Sequence, residues 1–303
     1  MTGTIHINEV VLRDGLQNEA RFVPTDRKVE LADRLSRTGI RRLEVTSFVS
    51  PKSIPNLRDA EEVFRRIARN PRVIYTALVP NERGCERALL CDVDEINLVM
   101  SIGEAHNLQN MRMTCDQSCA QFENIVQITK DSHVRINGTV ATAFGCPFEG
   151  PQPISRVLWA IDRYRTMAFD SITLADTIGA ANPVQVSRVL EAVRKEHSDI
   201  EITMHFHNTR GMGLANVMAA VEQGITSFDA ALGGIGGCPF APGASGNICT
   251  EDLVHMLEQS GLETAASSKS LVDVANDLAK ILERDLPGYV LKAGPGDRTY
   301  PLP

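Results

Sequence analysis

Aromatic residues are scarce, 5% of 303 residues with a single tryptophan, and no basic run is interleaved with them. Lys and Arg number 31 against 38 Asp and Glu, a formal net charge of -7. Binding along a phosphate backbone works by counterion release and needs the opposite balance, so nucleic acid is not an expected partner. No stretch of about 18 uninterrupted apolar residues occurs, which excludes a membrane-spanning helix from the expectations. The opening "MTGTIHINEVVLRDG" lacks a basic leader and a long apolar core, and a cytoplasmic protein without membrane contact is expected. The seven cysteines are odd in number and contain no CxxC pair, which disfavours a disulfide scaffold and a structural zinc site alike. Low-complexity tracts are also missing, and the 43% of hydrophobic residues suffice for a large core.

What is present is alternation. Eight β-rich runs, at 5–12, 42–47, 73–79, 94–100, 134–142, 170–176, 201–207 and 226–232, are separated by amphipathic helical patterns such as "DRKVELADRLSRTG" and "PVQVSRVLEAVRKEH". Alternating strands and helices predict a parallel sheet, and eight units in roughly 230 residues fit a closed (β/α)8 barrel. The chain is expected to form one domain over 1–303, with extra helices from about residue 250 packed on the barrel. An open doubly wound sheet would carry a glycine-rich turn after its first strand, where this chain has "RDGLQNE".

In such a barrel the active site forms at the C-terminal strand ends. "TMHFHNTRGMG", residues 203–213, sets His205 and His207 two apart at the end of an alternating, β-branched run. Side chains at i and i+2 of a strand share a face, so both rings point one way with nitrogens close enough to share an ion. Alone, the pair is equally read as one core and one surface histidine. Other expected strand ends carry Arg13 and Asp14, Glu44 running into Ser47, and Asp176 with Thr177. The loop after the eighth strand, "GGIGGCPFAPGASGN", holds Cys238 and Asn247 and reads as a connector or a lid over the barrel mouth. Two imidazoles, a carboxylate and an amide oxygen form a mixed donor set that suits Mg²⁺ or Mn²⁺, with zinc or ferrous iron chemically open. Asp14 has a second reading as a helix cap, Arg13 and Glu44 as partners in structural ion pairs, and Cys238 as a small buried side chain.

The blocks "RDGLQNE" (13–19), "SFVSPK" (47–52), "GCPFEG" (145–150), "LADTIG" (174–179), "HFHNT" (205–209) and "GGCPFAPGASGNICTEDLVHML" (236–257) together resemble the 3-hydroxy-3-methylglutaryl-CoA lyase family. That family belongs to the metal-dependent lyases and Claisen synthases that share an Arg-Asp signature on a (β/α)8 barrel. The resemblance runs from about residue 8 to 285, and its last block is specific to the lyase branch. It implies Asp14, His205, His207 and Asn247 as metal ligands for Mg²⁺ or Mn²⁺, and Arg13 as the cation that stabilises an enolate and contacts substrate. It further implies Glu44 as support for Arg13 and the metal, Asp176 in proton transfer or positioning, Thr177 as a substrate contact, and Cys238 as the catalytic cysteine that reaches the enolate carbon. The substrate implied is an acyl-CoA cleaved to acetyl-CoA and a keto acid such as acetoacetate; a homodimer is implied as well.

Three positions depart from the family pattern. The metal pair is usually followed by Asp and, two residues on, Tyr, where this chain has Asn208 and Arg210. Asn208 cannot place a charged carboxylate behind a ligating histidine, which predicts an altered metal affinity. Arg210 either binds a further substrate carboxylate or faces solvent. The arginine before the strand-5 glycine, on the family's CoA side, is Asn137 here. These departures make citramalyl-CoA or a branched hydroxyglutaryl-CoA alternative substrates. A Claisen-type acyltransferase uses the same barrel, but its extended C-terminal region is not expected beyond "LPGYVLKAGPGDRTYPLP". A barrel that only binds a ligand is a third reading, opposed by the density of ionisable groups at one rim.

Overall fold

Eight strands, β1 (His6–Glu9), β2 (Arg42–Ser47), β3 (Ile74–Leu78), β4 (Glu95–Ser101), β5 (Arg135–Ala141), β6 (Ser171–Asp176), β7 (Glu201–Phe206) and β8 (Ser227–Ala230), pair in parallel in chain order. The ring closes where β8 meets β1, with His6 opposite Ser227 and Glu9 opposite Ala230. This (β/α)8 barrel is taken from a computed structural model, which describes residues 3–237, 246–296, 298 and 299.

Local chemistry explains the connecting helices. Helix Cys115–Thr129 opens on a capping box in which Thr114 and Gln117 satisfy each other's backbone amides. Helix Pro183–Glu196 combines an Asn182 cap with proline in its first turn. Helix Thr25–Leu35 buries Leu31, Ala32 and Leu35, together with Lys28, whose Nζ donates to Asp59 Oδ1 and Asn56 O, each at 2.6 Å. Outward-facing strand residues such as Leu43, Val45, Ile96, Leu98, Ile172 and Leu174 are buried beneath these helices. Past the barrel, helices Thr250–Gln259 and Ser268–Leu282 add Leu253, Leu257, Leu271 and Leu278 to the same core. No described helix is long and apolar enough to cross a membrane.

The inside of the barrel is unusual. Barrel interiors are ordinarily filled by branched apolar side chains. Here Arg42, Glu44, Thr76, Glu95, Asn97, Asn137, Thr139, Ser171, Thr173, Thr203 and Asp229 line a cavity of about 660 Å³ that continues up to the mouth. Their polar atoms are tied across strands: Thr203 Oγ1 donates to Ser227 Oγ at 2.9 Å and Asn137 Nδ2 to Thr173 Oγ1 at 3.0 Å.

β1 is shorter than the run 5–12 suggests. It stops at Glu9, and Val11–Gly15 winds into a single π-helical turn. The cause is Glu9 itself, whose Oε1 accepts the amides of Val11 (2.8 Å) and Leu232 (2.9 Å) and so bends the chain off the sheet. Gly15 ends that turn because a Cβ there would lie 2.9 Å from Val11 Cγ2 and 3.0 Å from Ile235 Cγ1. Such turns concentrate at functional positions, and this one carries Arg13 and Asp14.

Candidate active site

The π-helical turn after β1 and the end of β7 face each other across the mouth. Asp14 Oδ2 lies 3.7 Å from His207 Nε2 and 4.0 Å from His205 Nε2, and the two Nε2 atoms are 3.1 Å apart. The three residues form a possible metal-binding triad, their ligand atoms all within 4.8 Å of one another and every one of the residues buried. Segment 246–249 returns beside β7: His207 bridges Asn247, and Ile248 N donates to Phe206 O at 3.1 Å. Asn247 Nδ2 thereby donates to Asp14 Oδ2 at 2.6 Å and to Ile235 O at 3.1 Å. Its Oδ1 is buried and has no hydrogen-bond partner among the described residues. Facing imidazole nitrogens, a carboxylate and an unsatisfied amide oxygen are donors that a divalent cation would satisfy, so the residues fit the metal that the sequence implies.

Arg13 completes the cluster. Its Nε donates to Glu44 Oε2 at 2.6 Å and its Nη1 to Asp14 Oδ1 at 2.8 Å, while Nη2 has no partner among the described residues. Glu44 is held from its other side by Asn97 Nδ2 at 2.7 Å, and sits where the β2–β3 register shifts between Glu44 and Thr46. Burial would raise the Asp14 carboxyl, but the Arg13 charge and then the adjacent imidazoles of His207 and His205 hold it far below the usual range. Burial would likewise weaken Arg13 as a cation, and Glu44 and Asp14 more than reverse this. Glu44 itself is raised, by burial first.

Behind His205 stands Asp229 of β8, a residue that sequence reasoning missed. Its Oδ2 is 3.1 Å from His205 Nδ1, and its Oδ1 accepts from Asn8 Nδ2 at 3.0 Å. Burial opposes protonation of His205, yet the hydrogen bond and charge of Asp229, followed by Asp14, raise its pKa. This is the carboxylate–histidine arrangement that fixes a ligand's tautomer with Nε2 free for a metal. Its only trace in the sequence is an acidic residue at an alternating position of the eighth β-rich run.

Asn208 and Asn137 have their polar groups taken up by neighbouring backbone and side chains, and Arg210 is exposed, the second of its two expected readings. The absence of a carboxylate at 208 does not leave His205 unsupported, because Asp229 stands behind it, whereas His207 Nδ1 is buried with no hydrogen-bond partner among the described residues. Asn208 Oδ1 instead accepts the Gly213 amide at 3.0 Å, at the start of the next helix. Arg210 does not line the cavity; its Nη1 donates to Ile178 O (2.8 Å) and Gly179 O (3.0 Å). Asn137 lies down in the barrel, where its Oδ1 accepts from Ser171 Oγ at 3.0 Å, below the level of the histidines.

Asp176 is buried, and both its oxygens accept backbone amides, Oδ1 from Ala180 at 2.8 Å and Oδ2 from Ala181 at 3.1 Å. That geometry holds the loop after β6 in place, while burial raises the carboxyl's pKa against those two amides and the charges of His207 and His205. Thr177 does line the cavity, and its Oγ1 accepts the amide of Thr142 at 2.8 Å. Thr142 is fully buried in the left-handed region at φ 59°, a strained conformation for a β-branched residue, and it ties the β5 and β6 ends together. Cys238 lies outside the described residues. The described part of its loop ends at Gly237, whose carbonyl accepts from Asn18 Nδ2 at 2.7 Å.

Comparison with known proteins agrees with this geometry. The HMGL-like family profile matches residues 4–278. The hydroxymethylglutaryl-CoA lyase YngG of Bacillus subtilis is 42% identical, over 95% of this chain and 96% of that protein. The (R)-citramalyl-CoA lyase of Chloroflexus aurantiacus is 37% identical, over 98% of this chain and 96% of its own length. Among solved structures, an HMG-CoA lyase from Acinetobacter baumannii in complex with coenzyme A and 3-methylmalate superposes with a TM-score of 0.97 at 50% identity, each chain covered in full. With a profile match over most of its length and relatives this similar along nearly all of it, the chain belongs to the HMGL-like family.

Proposed function

We propose that the protein is a divalent-metal-dependent carbon–carbon lyase that cleaves 3-hydroxy-3-methylglutaryl-CoA, or a close 3-hydroxy-3-substituted acyl-CoA, to acetyl-CoA and a keto acid, acetoacetate in the leading case. The observation that carries the reading is the Asp14–His205–His207 cluster beside an arginine with a free Nη2. Asp14, His205, His207 and Asn247 would hold Mg²⁺ or Mn²⁺, which supplies Lewis acidity to the substrate's tertiary hydroxyl and carboxylate.

The remaining work falls to side chains. As the C–C bond breaks, its electron pair moves onto the thioester carbon chain and negative charge collects on the thioester oxygen. The Arg13 guanidinium, planar, permanently charged and gripped at Nε and Nη1, has Nη2 left to meet that oxygen without reorganising. Glu44 keeps the guanidinium plane fixed, and Asn97 keeps Glu44 fixed. Thr177 lies at the cavity wall as a substrate contact. The hydroxyl loses one proton and the enolate carbon gains one, so the reaction is neutral in protons overall. Cys238 is assigned delivery of the second proton, by resemblance alone. Asp176 keeps its part in proton transfer or substrate positioning, and its backbone hydrogen bonds hold the Thr177 loop. A cytoplasmic location and a homodimer belong to this proposal on the same resemblance.

A second reading, citramalyl-CoA lyase, is favoured by the Chloroflexus relative. Its substrate has one methylene less between the hydroxyl carbon and the carboxylate, and its keto acid is pyruvate. Purified protein supplied with Mg²⁺ and racemic 3-hydroxy-3-methylglutaryl-CoA is expected to form acetoacetate, and EDTA to stop it. Pyruvate from citramalyl-CoA without acetoacetate from the first substrate would transfer the assignment to the second reading.

A further inference from the structure

The two ends of the barrel axis differ in charge. At the end opposite the metal ligands a second pocket, of about 580 Å³, carries Arg41, Arg42, Arg135 and Arg194 on its wall. Helix C-termini point to this face, and their carbonyl dipoles favour nearby cations. That accounts for Arg194, in the last turn of helix Pro183–Glu196. It does not account for the other three, which stand at the entries of β2 and β5.

Three carboxylates, Glu95, Glu201 and, at 4.0 Å from Arg135 Nε, Asp170, answer the four guanidinium groups. Arg42 donates through Nε to Glu95 Oε1 at 3.2 Å and through Nη2 to Glu201 Oε1 at 2.7 Å. Arg135 Nη2 reaches Glu201 Oε2 at 3.3 Å. Arg41 and Arg194 have no carboxylate within ion-pair distance among the described residues. Arg42 is only 7% exposed, and its Nη1 has no hydrogen-bond partner among the described residues. An ion-pair plug closing the base of a barrel would need only to be neutral. This one has one cation in surplus, and leaves Arg41 and Arg194 without a carboxylate among the described residues, on a chain of net charge -7. The field acts on its surroundings: burial first, then the charges of Arg41 and Arg42, lower the His6 pKa against Glu201.

We propose that this basal pocket is a second binding site, for a compact oxyanion such as a phosphate group, gripped between Arg41, Arg42 and Arg194. Guanidinium groups bind such oxyanions through paired, charge-assisted hydrogen bonds, and a buried arginine with a spare donor at the back of a pocket supplies a fixed one. Arg42 lines the catalytic cavity from below as well as this pocket from above, so an occupant would touch the floor of the active site through one side chain. The inference is independent of the lyase assignment.

The test is calorimetric titration of the full chain with inorganic phosphate, at ionic strength held constant with chloride. The native protein and Arg13→Gln are expected to bind one phosphate per chain alike. An Arg41→Ala/Arg194→Ala double variant, altered at exposed positions only, is expected to bind at least about tenfold more weakly while melting at the same temperature as native protein when phosphate is absent. Arg41→Glu serves if the double variant fails to fold. No saturable binding by the native protein, binding lost in Arg13→Gln, or equal binding by the native protein and the basal variants would each overturn the proposal.

Discussion

Replacing Asp229 by Asn keeps the side chain's size and removes its charge, which isolates what the carboxylate does for His205. In the native protein Asp229 Oδ2 faces His205 Nδ1 at 3.1 Å while Asn8 Nδ2 donates to Oδ1 at 3.0 Å. The carboxylate accepts on both sides, so His205 carries its proton on Nδ1 and offers the Nε2 lone pair to a metal. In the variant, Asn8 would claim the amide oxygen and turn the amide NH₂ toward His205. Nδ1 would then have to accept, which moves the proton to Nε2, the atom that faces His207 at 3.1 Å. Loss of such a partner typically costs about 10–100-fold in metal affinity, or roughly 1.4–2.8 kcal/mol. The tautomer conflict places Asp229→Asn at the upper end of that range. Mn²⁺ titration followed by calorimetry or by the electron paramagnetic resonance of free Mn²⁺ measures it directly. Activity should recover substantially at saturating Mn²⁺, because no reacting atom has been moved. A Kd within about twofold of native would refute the argument and leave Asp229 a bystander in a polar barrel.

Two further perturbations probe neighbouring links. Arg13→Gln should lower kcat by about 10²–10³-fold, the cost of one lost oxyanion donor, with a much smaller effect on Mn²⁺ binding; a kcat within tenfold of native would remove Arg13 from the chemistry. Glu9, fully buried beneath the π-helical turn, is pushed from its ordinary 4.5 up to about 8 by burial, against hydrogen bonds from Thr250, Leu232 and Val11. Between those two values the folded chain holds a proton that the unfolded chain has released, so stability should fall as pH rises through that window, by at most roughly 5 kcal/mol. Glu9→Gln mimics the protonated form and should flatten this slope and melt higher than native at pH 8 and above. Parallel melting curves for the two proteins from pH 5 to 9 would contradict the burial argument.

The strands were legible because their residues are β-branched and their polarity alternates, and the eightfold count needed only the helical patterns between them. Asp14, His205 and His207 were legible for the same reason: strand geometry dictates that i and i+2 share a face, and barrels put their chemistry at strand ends. Asp229 was not, because its partner is fixed by strand register. His205 pairs opposite Asp229 only once β7 and β8 are aligned, and nothing local in "TSFDAAL" announces it. Asn208, Arg210 and Asp176 were read toward the site from their nearness in sequence to ligands or strand ends. Backbone amides and carbonyls of the loops take up their side chains. Asn137 faces inward as alternation requires, but depth along the barrel axis is set by shear and strand tilt, which a single strand's sequence does not encode.

The polar barrel interior also bears on the charge the site is suited to take. Around His205 and His207 stand four carboxylates, Asp14, Glu44, Asp176 and Asp229, and one guanidinium, Arg13. With both imidazoles neutral the cluster sums to three negative charges, largely removed from water. The strain of that imbalance is visible in its titrations. His205 is raised against its burial by Asp229 and Asp14, and Glu44 is raised by burial with the Asp229 charge among the contributing causes. A cation held by Asp14, His205 and His207 would offset part of that charge, and more of it the higher its valence, so that an incoming carboxylate would meet fewer uncompensated anions.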